Sequence, residues 1–262
     1  MSMNASNYEI FPSSQRLSSI LKKISLHLDM KLAIISDIHS NLEALQAVLA
    51  HIDSMNVSAV YCLGDIVGYG ANPDECVEVM RSRNIQSVAG NHDKAVIGEI
   101  SVEYFSEAAR RGVEWTRSNI SSRNIEFLSG LSYQLQVDNA LLVHSSPDSP
   151  ESFRYLFDQE DAEESFGVLK DTICFVGHTH RPAIFCEDGI TQILDRGKRY
   201  IVNVGSVGQP RDGNWRSCFA LYDTEKFSVN YIRVDYDVES TIQKIIAAGL
   251  PKKLADRLLI GI

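Results

Sequence analysis

The fold is decided in residues 31–52, KLAIISDIHSNLEALQAVLAHI, where a strand, a polar loop and a helix follow one another. Residues 31–36 are almost continuously apolar, as in strands that are buried on both faces. Residues 40–43, Ser-Asn-Leu-Glu, have the spacing of a helix-capping box, and apolar residues then recur at helical spacing. This segment therefore predicts a strand that ends in the polar residues Asp37 and His39, followed by a helix.

The same order of strand, polar loop and helix repeats downstream. Residues 59–63 predict a second strand, residues 64–70 (GDIVGYG) a loop, residues 73–83 a helix and residues 85–88 a third strand. Strands that alternate with helices indicate βαβ units with right-handed crossovers. Further helices are predicted at 101–119, 123–130, 158–169, 238–250 and 252–259, and further strands at 133–137, 140–143, 172–176, 183–186, 190–194, 199–204, 218–222 and 227–234.

Composition restricts the classes of partner. The 262 residues are 44% apolar and 23% charged, which is ordinary for a globular protein. The net charge of −9, without a basic block, argues against a long nucleic acid as partner, although a bound metal could still attract a small phosphorylated substrate. The five cysteines are scattered and lack CxxC spacing, which favours core residues in a reducing compartment over disulfides or zinc ligands.

Residues 1–29 differ from the rest and are interpreted as an N-terminal extension, with residues 30–262 as a single domain. Residues 15–28 have apolar residues at roughly helical spacing and predict an amphipathic helix. The chain has neither an apolar run of about 18 residues nor the apolar core of a secretory signal. We therefore expect no membrane partner and a cytoplasmic location.

Polar side chains of metal-binding types follow five of the predicted strands. They are Asp37 and His39, Asp65, Asn91 and His92, His144, and His178 and His180. Each has an ordinary explanation when taken alone, such as a turn or a helix cap. Together they would form a costly polar cluster at one sheet edge for no structural reason. Since ligands of α/β sheets bind beyond the carboxyl ends of the strands, we expect a site there.

The chemistry of these groups indicates a pair of metal ions. Asp37-x-His39 and His178-x-His180 are i, i+2 pairs leaving strands, so both side chains of each pair are expected to point to one side. Two dications repel each other and need a bridging anion, for which Asp65 between glycine-containing turns is the candidate. Mixed oxygen and nitrogen ligands suit two divalent ions, with manganese expected first and iron, zinc or nickel as alternatives.

The ordered motifs resemble those of the calcineurin-like metallophosphoesterase superfamily. They are Asp37-x-His39, Gly64-Asp65, Gly90-Asn91-His92-Asp93, His144 and Gly177-His178-x-His180. Residues 64–70 and 205–211 (GSVGQPR) are similar to segments of its small prokaryotic branch, which is phosphodiesterase-like or diadenosine tetraphosphatase-like. The resemblance implies an α/β fold, a four-layer αββα sandwich of two mixed β-sheets.

The resemblance also implies how the ligands divide. One metal would be held by Asp37, His39, Asp65 and His180, and the other by Asp65, Asn91, His144 and His178. The expected enzyme is a dinuclear metal-dependent phosphoesterase that hydrolyses small phosphodiesters or phosphomonoesters. Its metals would lower the pKa of a bridging water to about 7 and so supply hydroxide to attack phosphorus.

Three residues are expected to act on the substrate. His92 is the candidate catalytic residue, either protonating the leaving group or stabilising developing charge. Asn91 and Arg211 are candidate substrate contacts, and a plain surface-loop role for Arg211 is equally open. Related phosphatases and symmetrical dinucleoside tetraphosphatases carry an acidic residue and an arginine where this chain has Gly68 and Tyr69. This departure weakens both of those substrate classes and leaves His92 without its acidic partner.

Two alternatives stay open. One is a hydrolase of dinucleoside polyphosphates, and the other is a non-catalytic protein-interaction scaffold of the same fold. The full set of seven candidate ligands argues against the scaffold, because such proteins have lost ligands.

Overall fold

A computed structural model gives the fold and describes residues 30–191 and 193–262. Its strands are β1 Lys31–Ile35, β2 Ala59–Cys62, β3 Gln86–Ser87, β4 Gln134–Val137, β5 Ala140–Val143, β6 Ile173–Val176, β7 Ala183–Cys186, β8 Gly189–Ile190, β9 Tyr200–Asn203, β10 Ser217–Asp223 and β11 Ser228–Val234. Its α-helices are α1 Leu42–Asp53, α2 Pro73–Ser82, α3 Asn91–Val96, α4 Glu107–Asn119, α5 Ser122–Ser129, α6 Gln159–Phe166, α7 Val238–Ala247 and α8 Lys252–Asp256, with 3-10 turns at Pro150–Ser152 and Arg257–Leu259. The helix predicted for residues 15–28 lies outside the described residues, as does the rest of the proposed extension.

The strands form two mixed sheets. The first has the order β11-β10-β1-β2-β3, in which β1, β2 and β3 are parallel and β10 and β11 are antiparallel additions. The second has the order β4-β5-β6-β9-β7-β8, in which β5, β6 and β9 are parallel. Parallel neighbours need crossover connections, which α1 and α2 supply in the first sheet. The carboxyl ends of three parallel strands are thereby aligned in each sheet.

Alternation along β1 shows how the layers are held together. Leu32 and Ile34 point into the core between the sheets, where they join Phe175 of β6. Ala33 and Ile35 point to the opposite face, into the core that α1 and α2 cover. The outer face of the second sheet packs against α6. The layers are therefore helix, sheet, sheet and helix, so the αββα sandwich implied by the family resemblance is confirmed.

Two element boundaries predicted from the sequence are wrong. The helix predicted for residues 101–119 begins only at Glu107, because the Ser106 side chain caps it by accepting a hydrogen bond from the Ala109 main-chain N–H at 3.3 Å. The strand predicted for residues 190–194 is reduced to the two residues Gly189–Ile190, which pair with the end of β7. Residues 101–106 are irregular and are free to line the cavity described below.

Two other expectations concern cysteines and membranes. All five cysteines are buried free thiols, so the prediction that they are core residues is confirmed. Among the helices of the described ranges, none is long and apolar enough to cross a bilayer.

Candidate metal centre

The candidate ligands meet where both sheets end. Asp37 follows β1, Asp65 follows β2, His144 follows β5 directly, and His178 follows β6. The parallel ladder of β1 and β2 continues into these loops, with the Asp37 N–H donating to Gly64 O at 3.0 Å and the His39 N–H to Asp65 O at 2.9 Å. The convergence predicted from the sequence is therefore present in the structure.

One group of donor atoms surrounds Asp37 Oδ1. The His180 Nε2 atom lies 3.3 Å from this oxygen, and the His39 Nε2 atom lies 3.8 Å from it. The two Nε2 atoms are 3.2 Å apart, and His39 Nε2 is 3.5 Å from Asp65 Oδ2. All four side chains are almost fully buried. The ligand atoms of Asp37, His39 and His180 are close enough to one another to hold one ion.

A second group surrounds His144 Nε2. This atom lies 3.4 Å from Asp65 Oδ2, 3.1 Å from His178 Nδ1 and 3.2 Å from Asn91 Oδ1. The ligand types are one carboxylate, one amide oxygen and two imidazoles, which suit a borderline divalent ion. The structure places Asp37, His39 and His180 together and Asp65, His144 and His178 together, with Asn91 beside the second group. It also brings His92 close to His39 and Asp65. The division into two sets of four ligands stays a prediction.

Asp65 faces both groups through a single oxygen. Its Oδ2 atom lies near His39 and His144, whereas its Oδ1 atom accepts a hydrogen bond from the His92 main-chain N–H at 2.8 Å. Asp37 is arranged in the same way, because its Oδ2 atom accepts from the His178 main-chain N–H at 3.1 Å while Oδ1 faces the imidazoles. In each carboxylate, therefore, one oxygen accepts a main-chain hydrogen bond that fixes a loop, and the other oxygen faces the candidate metal centre.

The i, i+2 pairs converge for a reason that differs from the one predicted from strand alternation. β1 ends at Ile35, and the backbone at Asp37 and His39 has φ of 53° and 51°. His178 and His180 have φ of 65° and 61°. Such left-handed conformations cost about 1–3 kcal/mol each for a residue with a side chain, and strain of this kind clusters at functional sites. Left-handed backbone conformations, and not strand alternation, therefore direct these pairs of side chains, and their role as ligands stays a prediction.

Main-chain carbonyls orient the imidazoles. The Nδ1 atoms of His39, His144 and His180 lie 3.3, 2.7 and 2.6 Å from the carbonyl oxygens of Val67, Leu63 and Gln209. A carbonyl can only accept, so each Nδ1 carries the hydrogen in a neutral ring and each Nε2 presents a lone pair. The facing Nε2 atoms of His39 and His180, beside the buried and unpartnered Asp37 Oδ1, therefore repel one another until a cation lies between them. This donor set fits a metal ion.

The pKa values of the four histidines also favour a bound cation at this centre. Burial lowers the pKa of His39, His178 and His180 well below the ordinary value, so these rings are neutral and able to ligate. Burial also lowers the pKa of His144, but the carboxylates of Asp65 and Asp37 outweigh it and raise the value to about 9. The space between the two carboxylates is therefore favourable for positive charge.

His92 lies beside the two groups and is held by packing. Its ring contacts those of Tyr69 and Phe105, at centroid distances of 4.4 and 5.1 Å. Burial lowers the pKa of His92 to about 4, so the ring is neutral at pH 7. Its Nδ1 atom is buried and has no hydrogen-bond partner among residues 30–191 and 193–262. An Asp65 oxygen lies within 4.8 Å of a His92 ring nitrogen, but no carboxylate is hydrogen-bonded to the ring among the described residues.

Gly68 explains that absence. Its φ of 95° disfavours any residue with a side chain, and a Cβ atom there would stand 2.4 Å from His92 Nδ1. An acidic residue at position 68 would have to displace the His92 ring. The next residue, Tyr69, lies against the His39 ring at a centroid distance of 4.5 Å, and its hydroxyl accepts a long hydrogen bond from Arg211 Nη2 at 3.4 Å.

Arg211 lines the cavity beside the centre. It is half-buried, its charge lowers the pKa of His180, and its Nη2 atom also donates to Gln209 Oε1 at 2.9 Å. Arg211 therefore lies on the cavity wall, and its role as a substrate contact stays a prediction.

Asp93, the last residue of the Gly90-Asn91-His92-Asp93 motif, has a structural role. Its Oδ1 atom accepts from the main-chain N–H groups of Ile66 and Val67 at 2.9 and 3.2 Å, and its Oδ2 atom accepts from the Gly90 N–H at 3.0 Å. It therefore ties the loop that carries Asp65 to the turn that carries Asn91. In the sequence, this role is indicated only by the position of Asp93 three residues after the helix cap Gly90, where an acidic side chain can accept a hydrogen bond from the main-chain N–H of the cap.

Gly90 is required for close approach and not for a special turn. Its φ of −93° is open to any residue, but a Cβ atom there would lie 2.0 Å from Asp65 Oδ1.

We expect Gly90→Ala to displace Asp65, lower metal content and abolish most activity, as measured by elemental analysis and hydrolysis assays. Gly130→Ala is the control, since Gly130 has φ of −78° and its Cβ would find only ordinary contacts at 3.5 Å. A fully metallated, active Gly90→Ala would contradict this reading.

An αββα sandwich whose sheet edge gathers two carboxylates and several imidazoles belongs, as a class, with metal-dependent hydrolases. Comparison with known proteins gives the family. The chain belongs to the calcineurin-like phosphoesterase superfamily, whose domain matches residues 30–226. The protein is thus a metallophosphoesterase, a hydrolase of ester bonds, as the sequence predicted.

Three relatives show how far the similarity extends. Protein MJ0912 of Methanocaldococcus jannaschii is 41% identical over 241 residues, which cover 88% of this chain and 98% of that protein. A metallophosphoesterase from Sphaerobacter thermophilus has a TM-score of 0.80 and 38% identity, covering 90% of this chain and 100% of its own. Protein PH1004 from Pyrococcus horikoshii, with a TM-score of 0.77, 22% identity and coverage of 88% and 98%, shares the fold.

Proposed function

We propose that this protein is a dinuclear phosphoesterase acting on small phosphodiesters or phosphomonoesters. The observation that carries the proposal is the single Asp65 oxygen facing both groups of donor atoms, at 3.5 Å from His39 Nε2 and 3.4 Å from His144 Nε2. One metal is assigned to Asp37, His39, Asp65 and His180. The other is assigned to Asp65, Asn91, His144 and His178, with manganese as the first expectation for both.

Bound divalent metals supply Lewis-acid stabilisation of phosphate oxygens and lower the pKa of coordinated water. The chain's own residues do the rest. Asn91 and His178 lie on the cavity wall beside the centre and place one end of the substrate. His92 lies on the same wall, and its neutral ring can donate a hydrogen bond to an oxygen that gains charge during the reaction.

A substrate screen tests the proposal. Hydrolysis of bis(p-nitrophenyl) phosphate, p-nitrophenyl phosphate, cyclic nucleotides and dinucleoside polyphosphates is compared with Mn²⁺, Zn²⁺, Ni²⁺ and Mg²⁺. We expect turnover of small diesters or monoesters with Mn²⁺, and two metal ions per chain by elemental analysis. Exclusive turnover of dinucleoside polyphosphates would favour the alternative enzyme. The absence of both metal and turnover would favour the scaffold.

Arg211→Gln tests the proposed substrate contact. A hydrogen bond to a charged group contributes about 1.5–3 kcal/mol, so its loss should raise KM roughly 10- to 100-fold. The metal content should not change, since no ligand is removed. Arg123→Gln is the control, because Arg123 is exposed on α5 away from the cavity. An unchanged KM for Arg211→Gln would remove Arg211 from the binding site.

A further inference from the structure

A cavity of about 760 Å³ opens from the candidate centre and extends well beyond it. Asn91, His92 and His178 lie at the end next to the metal ligands. From there the cavity reaches the N-terminal half of α4 and residues 251–257 near the C-terminal end of the described chain. The space is much larger than one phosphate group needs, so most of it faces other parts of a substrate.

The charge of this cavity is opposite to that of the whole chain. Its lining contains four cationic side chains, Arg111, Arg211, Lys253 and Arg257, and a single carboxylate, Glu107. The chain as a whole has a net charge of −9. Cations gathered in a cleft raise the local concentration of anionic ligands.

None of these four cations is paired with a carboxylate in the described chain, unlike Arg83, Arg154 and Arg199. Within residues 30–191 and 193–262, no Asp or Glu side chain lies within 4.0 Å of Arg111, Arg211, Lys253 or Arg257. By contrast, Arg199 is paired with Glu187 at 2.8 Å.

Arg257 and Arg211 are also both half-buried, and both line this cavity. Arg257 donates from Nε to the Ile262 main-chain oxygen at 2.6 Å, and its terminal amino groups have no partner in the described chain. Arg211 Nε is buried and has no hydrogen-bond partner among the described residues. Burial, followed by the charge of Arg211, lowers the pKa of Arg257. The Ile262 oxygen contacts only one nitrogen of Arg257, so an anion bound near both guanidinium groups would still relieve the repulsion between them.

We propose that Arg257 and Arg211, with Lys253 and Arg111 around them, bind a second phosphate group of the substrate, distinct from the one hydrolysed. The inference rests on the proposed function, because that function places the scissile phosphate at the Asn91 and His92 end. The substrate class is thereby a phosphoester with at least one additional phosphate. Phe153 and Tyr155 also line the cavity and offer ring faces for a base or another flat group.

The test compares ligands that differ by one phosphate. Dissociation constants of AMP, ADP and adenosine 3′,5′-bisphosphate are measured by calorimetry on the Mn²⁺-loaded protein, with Mn²⁺ in constant excess. At least one of the two bisphosphorylated ligands should bind roughly 10- to 100-fold more tightly than AMP. Arg257→Gln should reduce that preference to about threefold or less, while Arg257→Lys should keep part of it.

Arg111→Gln and Arg110→Gln form a matched pair on α4. Arg111 lines the cavity, whereas the adjacent, exposed Arg110 does not. Arg111→Gln should weaken the preference for the second phosphate, and Arg110→Gln should leave it and the activity unchanged. Thermal unfolding of each variant verifies that it is folded.

Two results would overturn the inference. One is a wild-type protein without preference for either bisphosphorylated ligand, and the other is a preference that survives in folded Arg257→Gln. Turnover of bis(p-nitrophenyl) phosphate is measured in parallel. If turnover is absent but the preference is present and depends on Arg257, the anion subsite stands and the proposed function fails.

Discussion

Asp65→Asn is expected to lose metal from both positions and to abolish activity. The amide keeps an oxygen that can accept the His92 main-chain N–H, now made by Asp65 Oδ1 at 2.8 Å, but it removes the negative charge that Oδ2 presents to both groups. Losing an outer-shell partner costs roughly 10- to 100-fold in metal affinity, and losing a shared ligand should cost more. Elemental analysis and hydrolysis of bis(p-nitrophenyl) phosphate measure the two effects.

Asp138→Asn is the matched control. Asp138 is an exposed turn residue with φ of 51°, the same left-handed conformation as Asp65, and it lies outside the cavity. Asparagine tolerates this conformation well, so the control should keep its metals and its activity. An Asp65→Asn protein with two metals and normal turnover would rule out the bridging assignment.

The candidate ligands were accessible from the sequence because each one follows an apolar run. The strands that precede Asp37, His144 and His178 are short and largely buried, and the strand before Asp65 is short and partly buried. The parallel pairing of β1 with β2 and of β5 with β6 aligns their ends. Pairing rules therefore bring such residues together without detailed knowledge of the loops. The αββα sandwich, by contrast, was predicted from the resemblance of the ordered motifs to those of a known family.

The sequence did not predict which atom of each ligand residue faces the centre. Strand alternation does not direct the side chains of Asp37 and His39, since both residues adopt left-handed conformations beyond the end of β1. Only the loop hydrogen bonds determine that Asp65 offers Oδ2 to the centre and commits Oδ1 to His92. These contacts connect residues that are distant in the sequence and leave no local pattern.

The position of Arg257 in the cavity was likewise not predictable from the sequence. It lies in a 3-10 turn near the C-terminal end of the described chain, 46 positions after Arg211, and nothing in its local sequence marks it. It reaches the cavity because α7 and α8 pack beside Tyr69 in a small apolar cluster. Tertiary packing alone brings it beside Arg211.

No carboxylate is hydrogen-bonded to the His92 side chain among residues 30–191 and 193–262, and Asp65 is a neighbour within 4.8 Å. Since Gly68 occupies the space next to Nδ1, the ring is positioned by Tyr69, Phe105 and His39 instead of by a carboxylate. Its pKa of about 4 makes it a neutral hydrogen-bond donor at pH 7, and a bound phosphate would raise that pKa by its negative charge. Both conditions favour stabilisation of a charged oxygen in the cavity.

His92→Ala is therefore expected to lower kcat by about 10²–10⁴-fold while both metals stay bound. The main-chain N–H of residue 92, which fixes Asp65, survives this change, so only the side chain's contribution is removed. His51→Ala is the control, because His51 is exposed on α1 and lies outside the cavity. Metal content from elemental analysis and kcat with bis(p-nitrophenyl) phosphate are measured on the same samples. A metal-replete variant with unchanged kcat would show that His92 has no part in the reaction, whereas loss of metal would make its role structural.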